Sequence, residues 1–286
     1  TKLKEWPWAM GVLSQEKADG TFANGNLNAD GAFTFLSRQG TIYPMGEMEE
    51  LATEMRRFMP QGFQYHGEIL VEENGVILDR ELGNGVMSSI ASGGKFEPGQ
   101  RPVYVIWDMV PLEAVQAGKH SLPYARRFTA IVTALKNSGA KSIKPIPTRI
   151  CKTLRQALEH CKELVAQGKE GTVIKKPTME WKDGTSKDQI KLKLTAECDL
   201  QVVGVLLGKK GTKNEHRAGS LSCVTSDGLL KVDVTVKNEK MRDDVDANQD
   251  NWVGSIIPVL FNDVMKPSES SDCHSLFLPR MAEAAY

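Results

Sequence analysis

The spacing of apolar residues changes once along this chain of 286 residues, and that change constrains the fold more than any other feature. Up to about residue 195, strand-like runs alternate with segments of helical spacing; beyond it, short strand-like runs dominate. A chain of this length accommodates two domains. The sequence therefore predicts an α+β protein with a first domain of antiparallel sheets and helices at 1–196 and a small β domain at 197–286.

The first region carries recognisable signals for both kinds of element. Turn residues around Asn74-Gly75 predict a hairpin, and Thr153 with Gln156 predicts a capping box that starts a helix. That helix is expected to bury Leu154, Leu158, Cys161 and Val165. The further predicted helices are Glu47–Phe58 and Tyr124–Asn137, and the predicted strands are Ala32–Ser37, Tyr65–Val71, Val76–Asp79, Val103–Trp107, Thr172–Lys175 and Gln189–Leu194.

The second region reads as several short strands within about ninety residues. Gly, Asp, Asn and Lys fill the turns between them. A five-stranded OB-type barrel fits this size. The strand-like runs are Leu200–Leu207, Ser220–Thr225, Leu229–Val236 and Ser255–Phe261.

Composition restricts the class of protein. The chain has no apolar run of eighteen residues, so a transmembrane helix is not expected, and its start lacks the apolar core of a secretory signal. It begins with Thr, which suggests a trimmed N-terminus. Five cysteines without a CxxC pair favour a reducing compartment and argue against a zinc site. We therefore expect a cytoplasmic protein without a membrane partner.

Charge is balanced over the whole chain but not along it. Residues 121–193 carry a net charge of +10, whereas the segments before and after carry −6 and −4. A basic middle is compatible with a face that binds a polyanion. A solvated helical face would give the same pattern, so charge alone leaves both interpretations open.

The segment Lys17-Ala18-Asp19-Gly20 follows the apolar run Ala9–Leu13. As an isolated tetrapeptide it is typical of an ordinary turn. In a functional interpretation, Lys17 is a nucleophile whose amine, with an ordinary pKa of about 10.4, needs neighbouring cations or burial to lose its proton. Lys191 and Lys193 share one face of a predicted strand, and Lys175 ends another. Together these lysines could neutralise a triphosphate, although solvated lysines on an edge strand are common.

Two acids and two further side chains complete the candidate set. Glu68 and Glu170 each adjoin a glycine at a strand start, where backbone approaches a ligand closely, and carboxylates of this kind suit Mg²⁺. Each could equally be a surface acid. Trp107 could present a stacking surface to a purine, and Arg38 is a planar cation suited to phosphate.

The order of these segments is more specific than any one of them. Along the chain come Lys17–Gly20, Ser37–Gly40, Gly67–Ile69, Val105–Asp108, Glu170–Lys175 and Lys191–Lys193. In this order and at these spacings the chain resembles the covalent nucleotidyltransferases, and most closely the small ATP-dependent DNA ligases of the phage type. The likeness spans roughly residues 9–215.

The resemblance implies a nucleotidyltransferase domain followed by an OB barrel, and a reaction in three steps. Lys17 would attack ATP to form a Lys–AMP adduct, AMP would pass to the 5′-phosphate of a nick, and the 3′-hydroxyl would displace AMP. It implies catalytic roles for Lys17, Glu170, Lys191 and Lys193. It also implies nucleotide contacts from Gln15, Arg38, Glu68, Trp107 and Lys175, and Mg²⁺ near Glu68 and Glu170.

The chain departs from the family pattern at Phe22, where many relatives carry arginine. The missing contact could come from Arg126 or Arg127, which we include among the expected DNA contacts. Arg280 is the best candidate for a C-terminal arginine that orients pyrophosphate, and so counts among the nucleotide-binding residues.

The lysines of the loop 208–213 are suited to binding phosphates without reading bases, because glycines keep the backbone low around them. Lys209, Lys210 and Lys213 are therefore expected to contact DNA, although lysines in an exposed turn also resist edge-to-edge aggregation. The expected partner is nicked duplex DNA of any sequence, bound by a monomer. An RNA ligase, a GTP-dependent capping guanylyltransferase and a non-catalytic nick-binding protein remain alternatives.

Overall fold

A computed structural model describes residues 3–193, 195–267 and 271–282 of the chain. The chain divides into two compact units, residues 1–192 and 193–286, four residues before the predicted boundary. No helix in the described ranges has the length and apolarity needed to span a lipid bilayer.

The first unit is built around two sheets. The six-stranded sheet has the order β3-β2-β4-β6-β8, with β5 paired to β4, and within residues 3–193 only its β6–β8 pair is parallel. Its strands are β2 (Thr21–Leu27), β3 (Phe33–Leu36), β4 (Phe63–Glu73), β5 (Val76–Ile77), β6 (Gln100–Pro111) and β8 (Ile143–Pro145).

The second sheet of this unit has the order β12-β10-β1-β9. Its strands are β1 (Val12–Glu16), β9 (Thr148–Cys151), β10 (Gly171–Lys175) and β12 (Gln189–Lys193), the last of which ends across the unit boundary. A separate two-stranded pair joins β7 (Lys119–His120) to β11 (Trp181–Lys182). The sequence predicted the hairpin β4–β5, which forms around Asn74 in the left-handed region at φ +50°.

Within residues 3–193 the α-helices are α1 (Glu49–Phe58), α2 (Arg80–Ala91), α3 (Leu112–Gln116), α4 (Tyr124–Leu135) and α5 (Leu154–Ala166). Buried residues of α1 and α4 join the main core with the six-stranded sheet, including Met55 and Phe128. A smaller core packs Trp6 and Trp8 against Cys151, Ala157 and Ile174.

The capping prediction at α5 is confirmed, because the Thr153 hydroxyl accepts the Gln156 backbone N–H at 3.2 Å. The expected buried face is partly wrong. Leu158 is 44% exposed, whereas Ala157, His160 and Leu164 are buried with Cys161. The core here takes a small residue and a histidine, so apolar spacing alone misplaced the face by about one residue.

The second unit is mainly antiparallel sheet. Five strands have the order β15-β14-β13-β16-β19, and β17 pairs with β18. These strands are β13 (Ala196–Leu207), β14 (Ala218–Val224), β15 (Lys231–Thr235), β16 (Ile256–Phe261), β17 (Asp263–Met265), β18 (Ser275–Phe277) and β19 (Arg280–Met281). Among the described residues these pairings form no closed barrel, so the structure supports an α+β fold rich in sheet but not the finer barrel prediction.

Two helices in the second unit were not predicted: α6 (Glu239–Ala247) and the short α7 (Gln249–Trp252). Helix α6 is strongly acidic on its outer face and buries Met241, Arg242 and Val245. The sequence signal was available, since Asn238 caps the helix by accepting the Lys240 backbone N–H at 2.9 Å.

A buried ion pair ties helix α4 to strand β6. Arg127 is 1% exposed and donates to both oxygens of Asp108, at 2.7 and 3.0 Å, and also to the Met179 carbonyl oxygen at 3.2 Å. A guanidinium enclosed in this way cannot reach a DNA phosphate. The expectation that Arg127 contacts DNA is therefore wrong in this structure, whereas Arg126 is exposed.

We predict that Arg127→Ala lowers the free energy of unfolding by about 3–5 kcal/mol, because it leaves the Asp108 carboxylate buried without its partner. Arg126→Ala is the matched control on the same helix and should change it by less than about 0.5 kcal/mol. Urea unfolding of the two variants measures the difference. Equal losses would show that the buried pair is not a major source of stability.

Candidate active site

Lys17 lies directly beyond β1, in the turn that leads to β2. Strand β1 pairs antiparallel with β10, with Glu16 opposite Thr172, and the Lys17 backbone N–H donates to the Gly171 carbonyl at 2.9 Å. The register thus brings the Lys17 segment and the Glu170 segment together across 153 positions of sequence. The Lys17 ammonium forms an ion pair with Glu170 Oε2, and both side chains are largely buried, at 17% and 11% exposure.

Glycines at both ends of this contact are required by their surroundings. Gly171 has φ +137°, and a Cβ there would lie 2.3 Å from the Leu192 carbonyl oxygen. A Cβ on Gly20 would lie 2.5 Å from the Ile69 carbonyl oxygen. A side chain at Gly171 would therefore separate β10 from β12, and one at Gly20 would separate the Lys17 turn from β4.

Glu68 closes the other side of the turn. It lies on β4 opposite Phe22 of β2, and its Oε2 accepts the Gly20 backbone N–H at 2.8 Å. Burial raises the pKa of Glu68 to about 6, while the Gly20 hydrogen bond and the nearby Lys17 charge oppose that rise. The turn therefore contacts both candidate carboxylates, one through a side chain and one through the backbone.

Helix α2, which the sequence analysis did not predict, also contacts this turn. Arg80 pairs with Asp19 at 3.2 Å, and Thr21 Oγ1 donates to Asn84 Oδ1 at 2.8 Å. Asp79 caps the helix by accepting the Leu82 backbone N–H at 3.1 Å. The sequence signal for this helix was Asp79, a residue type that is common at helix N-caps, placed directly before the segment 80–91.

A bulge in β6 places Trp107. The register between β4 and β6 passes from His66 opposite Asp108 to Gly67 opposite Ile106, which leaves Trp107 as the extra residue. A bulge redirects a side chain relative to its neighbours. Here the half-buried indole lies 6.4 Å from the Phe22 ring, centroid to centroid.

Gln15 and Lys175 lie beneath this cluster and are joined by Tyr124. The Lys175 amine donates to the Tyr124 hydroxyl at 3.1 Å, and that hydroxyl is shared between Gln15 Oε1 at 2.8 Å and the Trp107 carbonyl at 2.6 Å. Gln15 Nε2 in turn donates to Thr148 Oγ1 at 3.2 Å. Gln15 is only 1% exposed and Lys175 only 5%.

Burial lowers the pKa of Lys175 to about 7; the Arg127 charge lowers it further and the Asp108 charge raises it. The amine has an aromatic surrounding, 4.5 Å from the Tyr124 ring centroid and 5.7 Å from that of Trp107. Lys175 therefore has a hydroxyl and two aromatic rings as its neighbours, and its expected contact with the nucleotide stays a prediction. The side chain paired with the Lys17 amine is the carboxylate of Glu170.

The remaining lysines of this set are placed less closely. Lys191 is exposed on β12, and within residues 3–193 it forms no hydrogen bond or ion pair through its amine. Lys193 belongs to the second unit, so its role in the site stays a prediction. No group of three His, Cys, Asp or Glu side chains among the described residues is arranged to hold a metal.

In the second unit, the expected DNA-binding loop is partly neutralised. Lys209 and Lys210 are exposed, but Lys213 pairs with Glu239 of α6 at 3.2 Å. Arg217 pairs with the same glutamate at 2.9 Å and with Asp246 at 3.2 Å.

Arg280 donates to Asn262 Oδ1 at 2.9 Å and to Thr195 Oγ1 at 3.3 Å. Its proposed contact to pyrophosphate stays a prediction.

Comparison with known proteins gives a family match that covers most of the first unit and ends one residue beyond it. A family model described as ATP dependent DNA ligase domain matches residues 8–193. The chain belongs to the ATP-dependent DNA ligase domain family. Lys17, Glu68, Trp107 and Glu170 therefore lie within the matched ligase domain.

Individual relatives agree with this family. The DNA ligase of Enterobacteria phage T6 is 25% identical over 309 residues, which cover 94% of this chain and 63% of the phage protein. The chain thus spans less than two thirds of that relative's length. A solved structure titled Pmar-Lig_PreS3 superposes with a TM-score of 0.76 at 18% identity, covering 95% of this chain and 63% of its own.

A second solved structure matches this chain over nearly the full length of both proteins. It comes from work described as DNA binding with a minimal scaffold, a structure–function analysis of Lig E DNA ligases. It superposes with a TM-score of 0.69 at 15% identity, over 97% of this chain and 93% of its own. At this identity the two superpositions show a shared fold. They include both units of the chain, since each covers at least 95% of it.

We predict that Lys175 makes stability depend on pH. In the unfolded chain a lysine titrates near a pKa of about 10.4, whereas the folded-state pKa is about 7, so between these values the unfolded state binds more protons. Stability therefore rises with pH in this window, by about 1.4 kcal/mol per unit relative to Lys175→Met. Below pH 7 both states hold the proton and the difference stays constant.

Urea unfolding of wild type and Lys175→Met at pH 7, 8 and 9 measures this slope. Lys182→Met, at an exposed position, is the control and should run parallel to wild type. Parallel curves for wild type and Lys175→Met would mean that the Lys175 amine is not held in a site that favours its neutral form.

Proposed function

We propose that this chain is an ATP-dependent DNA ligase that seals nicks between a 3′-hydroxyl and a 5′-phosphate. The observation that carries the proposal is the juxtaposition of Lys17 with Glu170 and Glu68 inside the matched ligase domain. A lysine paired with one carboxylate, in a turn whose backbone is bound by a second, has the components of a covalent nucleotidyl transfer site.

In the proposed first step, the Lys17 ammonium passes a proton to Glu170 Oε2 and the neutral amine attacks the α-phosphorus of ATP; the N–P bond forms as the P–O bond to pyrophosphate breaks, and the second proton from nitrogen is released to solvent. Glu170 Oε2 fixes the position of this amine before the nucleotide arrives. The adenylate then passes to the 5′-phosphate of the nick, and the 3′-hydroxyl displaces AMP as the phosphodiester bond forms. Lys191 and Lys193 are proposed to neutralise phosphate charge, and Trp107 to stack on the adenine.

The base is proposed to be recognised at the floor of the site. Two of the amide contacts of Gln15 are already made, to Tyr124 and Thr148, so its orientation is fixed before a nucleotide binds. An amide with one donor and one acceptor remaining can pair with the edge of adenine. The same arrangement would place carbonyl against carbonyl with guanine, which favours ATP over GTP.

The carboxylates of Glu68 and Glu170 are too few to bind Mg²⁺ alone, so phosphate oxygens of the substrate would supply further ligands. Magnesium usually takes one or two carboxylates plus phosphate oxygens, and Glu68 and Glu170 supply a donor set of that size. We propose that these two residues hold it. Bound there, it would neutralise negative charge on the transferring phosphate.

The second unit is proposed to be an OB-type domain that contacts the DNA backbone. Lys209 and Lys210 carry the proposal because both are exposed and neither forms a hydrogen bond or ion pair through its side chain among the described residues. The contacts would go to phosphates and not to base edges, so the sequence of the nicked duplex would not matter. Arg126 is proposed as a further phosphate contact, and the chain is expected to act as a monomer inside the cell.

The decisive test is formation of the covalent adduct. Wild type incubated with Mg²⁺ and ATP labelled at the α-phosphate should retain label after denaturation, whereas Lys17→Ala should retain none. Lys182→Ala is the control for loss of a lysine elsewhere. Label from GTP as strong as that from ATP would contradict the assignment of the nucleotide, and an adduct on Lys17→Ala would contradict the nucleophile.

Nicked substrates test the second half of the proposal. Wild type should join a 5′-phosphorylated nick in duplex DNA and leave a 5′-hydroxyl nick unjoined. Preferential joining of a nick between RNA strands would favour the RNA ligase alternative instead.

Binding to nicked DNA should weaken steeply with salt. Because each phosphate contact contributes about −0.9 to the slope of log K against log salt, Lys209→Ala with Lys210→Ala should make that slope shallower by about 2. Lys213→Ala should change it less, since Glu239 already balances that charge. Fluorescence anisotropy between 50 and 200 mM salt gives the slopes. An unchanged slope in the double variant would remove this loop from the DNA-binding surface.

A further inference from the structure

Arg38 contacts the ring of Phe22 at the edge of the candidate site. In the pairing of β2 with β3, the last pair is Asn24 opposite Leu36, and Arg38 follows in the turn two residues after Leu36. On its other side Phe22 lies opposite Glu68 of β4. Directly opposed residues project from the same face of a sheet, so Phe22 and Glu68 share one face, and Arg38 reaches the Phe22 ring from the adjoining turn.

Two cations and two aromatic rings lie in contact with one another here. Arg38 Cζ lies 5.2 Å from the centroid of the Phe22 ring, and the Phe22 ring lies 6.4 Å from Trp107 with an interplanar angle of 44°. The Lys175 amine lies 5.7 Å from the other ring in this series, the indole. A cation, two aromatic rings and a second cation are thus in sequence, from an exposed guanidinium to a buried amine.

The turn that carries Arg38 is held in place. Within Ser37–Thr41, the Ser37 backbone N–H donates to the Thr41 carbonyl at 2.8 Å and the Gly40 N–H to the Ser37 carbonyl at 3.0 Å. The Ser37 hydroxyl accepts the backbone N–H groups of Gln39 and Thr41. Arg38 therefore projects from a closed turn.

Phe22 is fixed on the opposite side. Its carbonyl accepts the Tyr43 hydroxyl at 3.3 Å, and its ring is half buried. Both partners of the ring contact consequently start from defined backbone positions.

The guanidinium nevertheless keeps its hydrogen-bonding capacity. Within residues 3–193 it forms no hydrogen bond and no ion pair, although Arg38 is exposed. A contact with an aromatic face restrains a guanidinium without occupying its N–H donors, which lie in its plane. A carboxylate partner would restrain Arg38 equally well but would occupy those donors and cancel the charge.

We propose that Phe22 is a positioning residue that holds the Arg38 guanidinium by its face, so that its N–H donors are presented to a phosphate of the substrate. The inference rests on the proposed function, since it assumes a phosphate-bearing substrate at this site. Two sources share that chemistry: the phosphates of the nucleotide and the 5′-phosphate at the nick. Arg38 would bind either in a bidentate manner, which an ammonium cannot do.

The test measures how much the phosphate adds to binding, so it does not depend on turnover. One arm compares ATP with adenosine by calorimetry. The other compares nicked duplexes that differ only in a 5′-phosphate or 5′-hydroxyl at the nick, by anisotropy. In each arm the ratio of the two dissociation constants is the contribution of the phosphate.

In wild type we expect this ratio to be at least tenfold in the arm that contains the true ligand. Phe22→Leu should reduce it to less than threefold there, because the ring is lost while the apolar volume is largely kept. Phe22→Tyr should retain the wild-type ratio, since it keeps the aromatic face. Phe96→Leu, at another half-buried aromatic position of the first unit, should also retain it.

A double-mutant comparison separates positioning from general damage. Arg38→Lys keeps a charge but removes the planar fork, so it should lower the ratio by itself. Adding Phe22→Leu to Arg38→Lys should then cause less than a twofold further loss, because the ring has no guanidinium to hold. A loss in the double variant equal to the product of the single losses would overturn the proposal.

Other results would also overturn it. These are a Phe22→Leu ratio like that of Phe96→Leu in both arms, failure of Phe22→Tyr to retain the ratio, and a wild-type ratio near one in both arms. The adduct assay is read separately. If wild type forms no adduct with ATP but still shows a phosphate ratio that requires Phe22, the proposed ligase function fails while the positioning role stands.

Discussion

The antiparallel pairing of β1 with β10 is the constraint on which the candidate site depends. It sets the Lys17 backbone N–H against the Gly171 carbonyl and so brings Lys17 beside Glu170 from a distant part of the chain. Side chains alternate between the faces of a strand, so a slip of one residue would send these groups to opposite sides. Gly171 and Gly20 permit close approach to the Leu192 and Ile69 carbonyl oxygens, so the position of Lys17 depends on neighbouring strands as well as on its local turn.

Local signals predicted local structure well. The hairpin at Asn74-Gly75 and the cap at Thr153 are confirmed because each depends on a few neighbouring residues, whose conformational preferences act within one turn. The predicted helix Tyr124–Asn137 begins where α4 begins, but α4 ends two residues earlier, at Leu135. Lys17, Glu68 and Glu170 were identified from short motifs, and the structure brings them together, although their individual roles are still predictions.

Side-chain partners were beyond the sequence because they depend on register and packing. Arg127 was assigned to DNA from its charge, yet it lies on the helix face of Tyr124 and Ile131, which is buried. Its position three residues after Tyr124 was the signal, since a cation on an apolar face requires an acid such as Asp108. Nor did the sequence show that the Lys17 amine pairs with the Glu170 carboxylate, or that the Lys175 amine is buried against Tyr124. Lysines spaced along strands do not reveal which amine is paired and which is enclosed.

The charges of the first unit are divided between paired and unpaired cations, and this division suits an anionic substrate. Asp108 uses both oxygens on Arg127, so Lys175 is left with a hydroxyl and two aromatic rings as its surroundings. Glu170 engages Lys17, whereas Arg38 contacts a ring. A cation that contacts only neutral groups attracts a distant anion with its full charge, whereas a carboxylate partner cancels most of that attraction. An approaching phosphate would stabilise the charged form of Lys175, against the burial that lowers its pKa. The aromatic side chains of Phe22, Trp107 and Tyr124 therefore contact Arg38 and Lys175 without forming ion pairs with them, although burial favours the neutral form of Lys175.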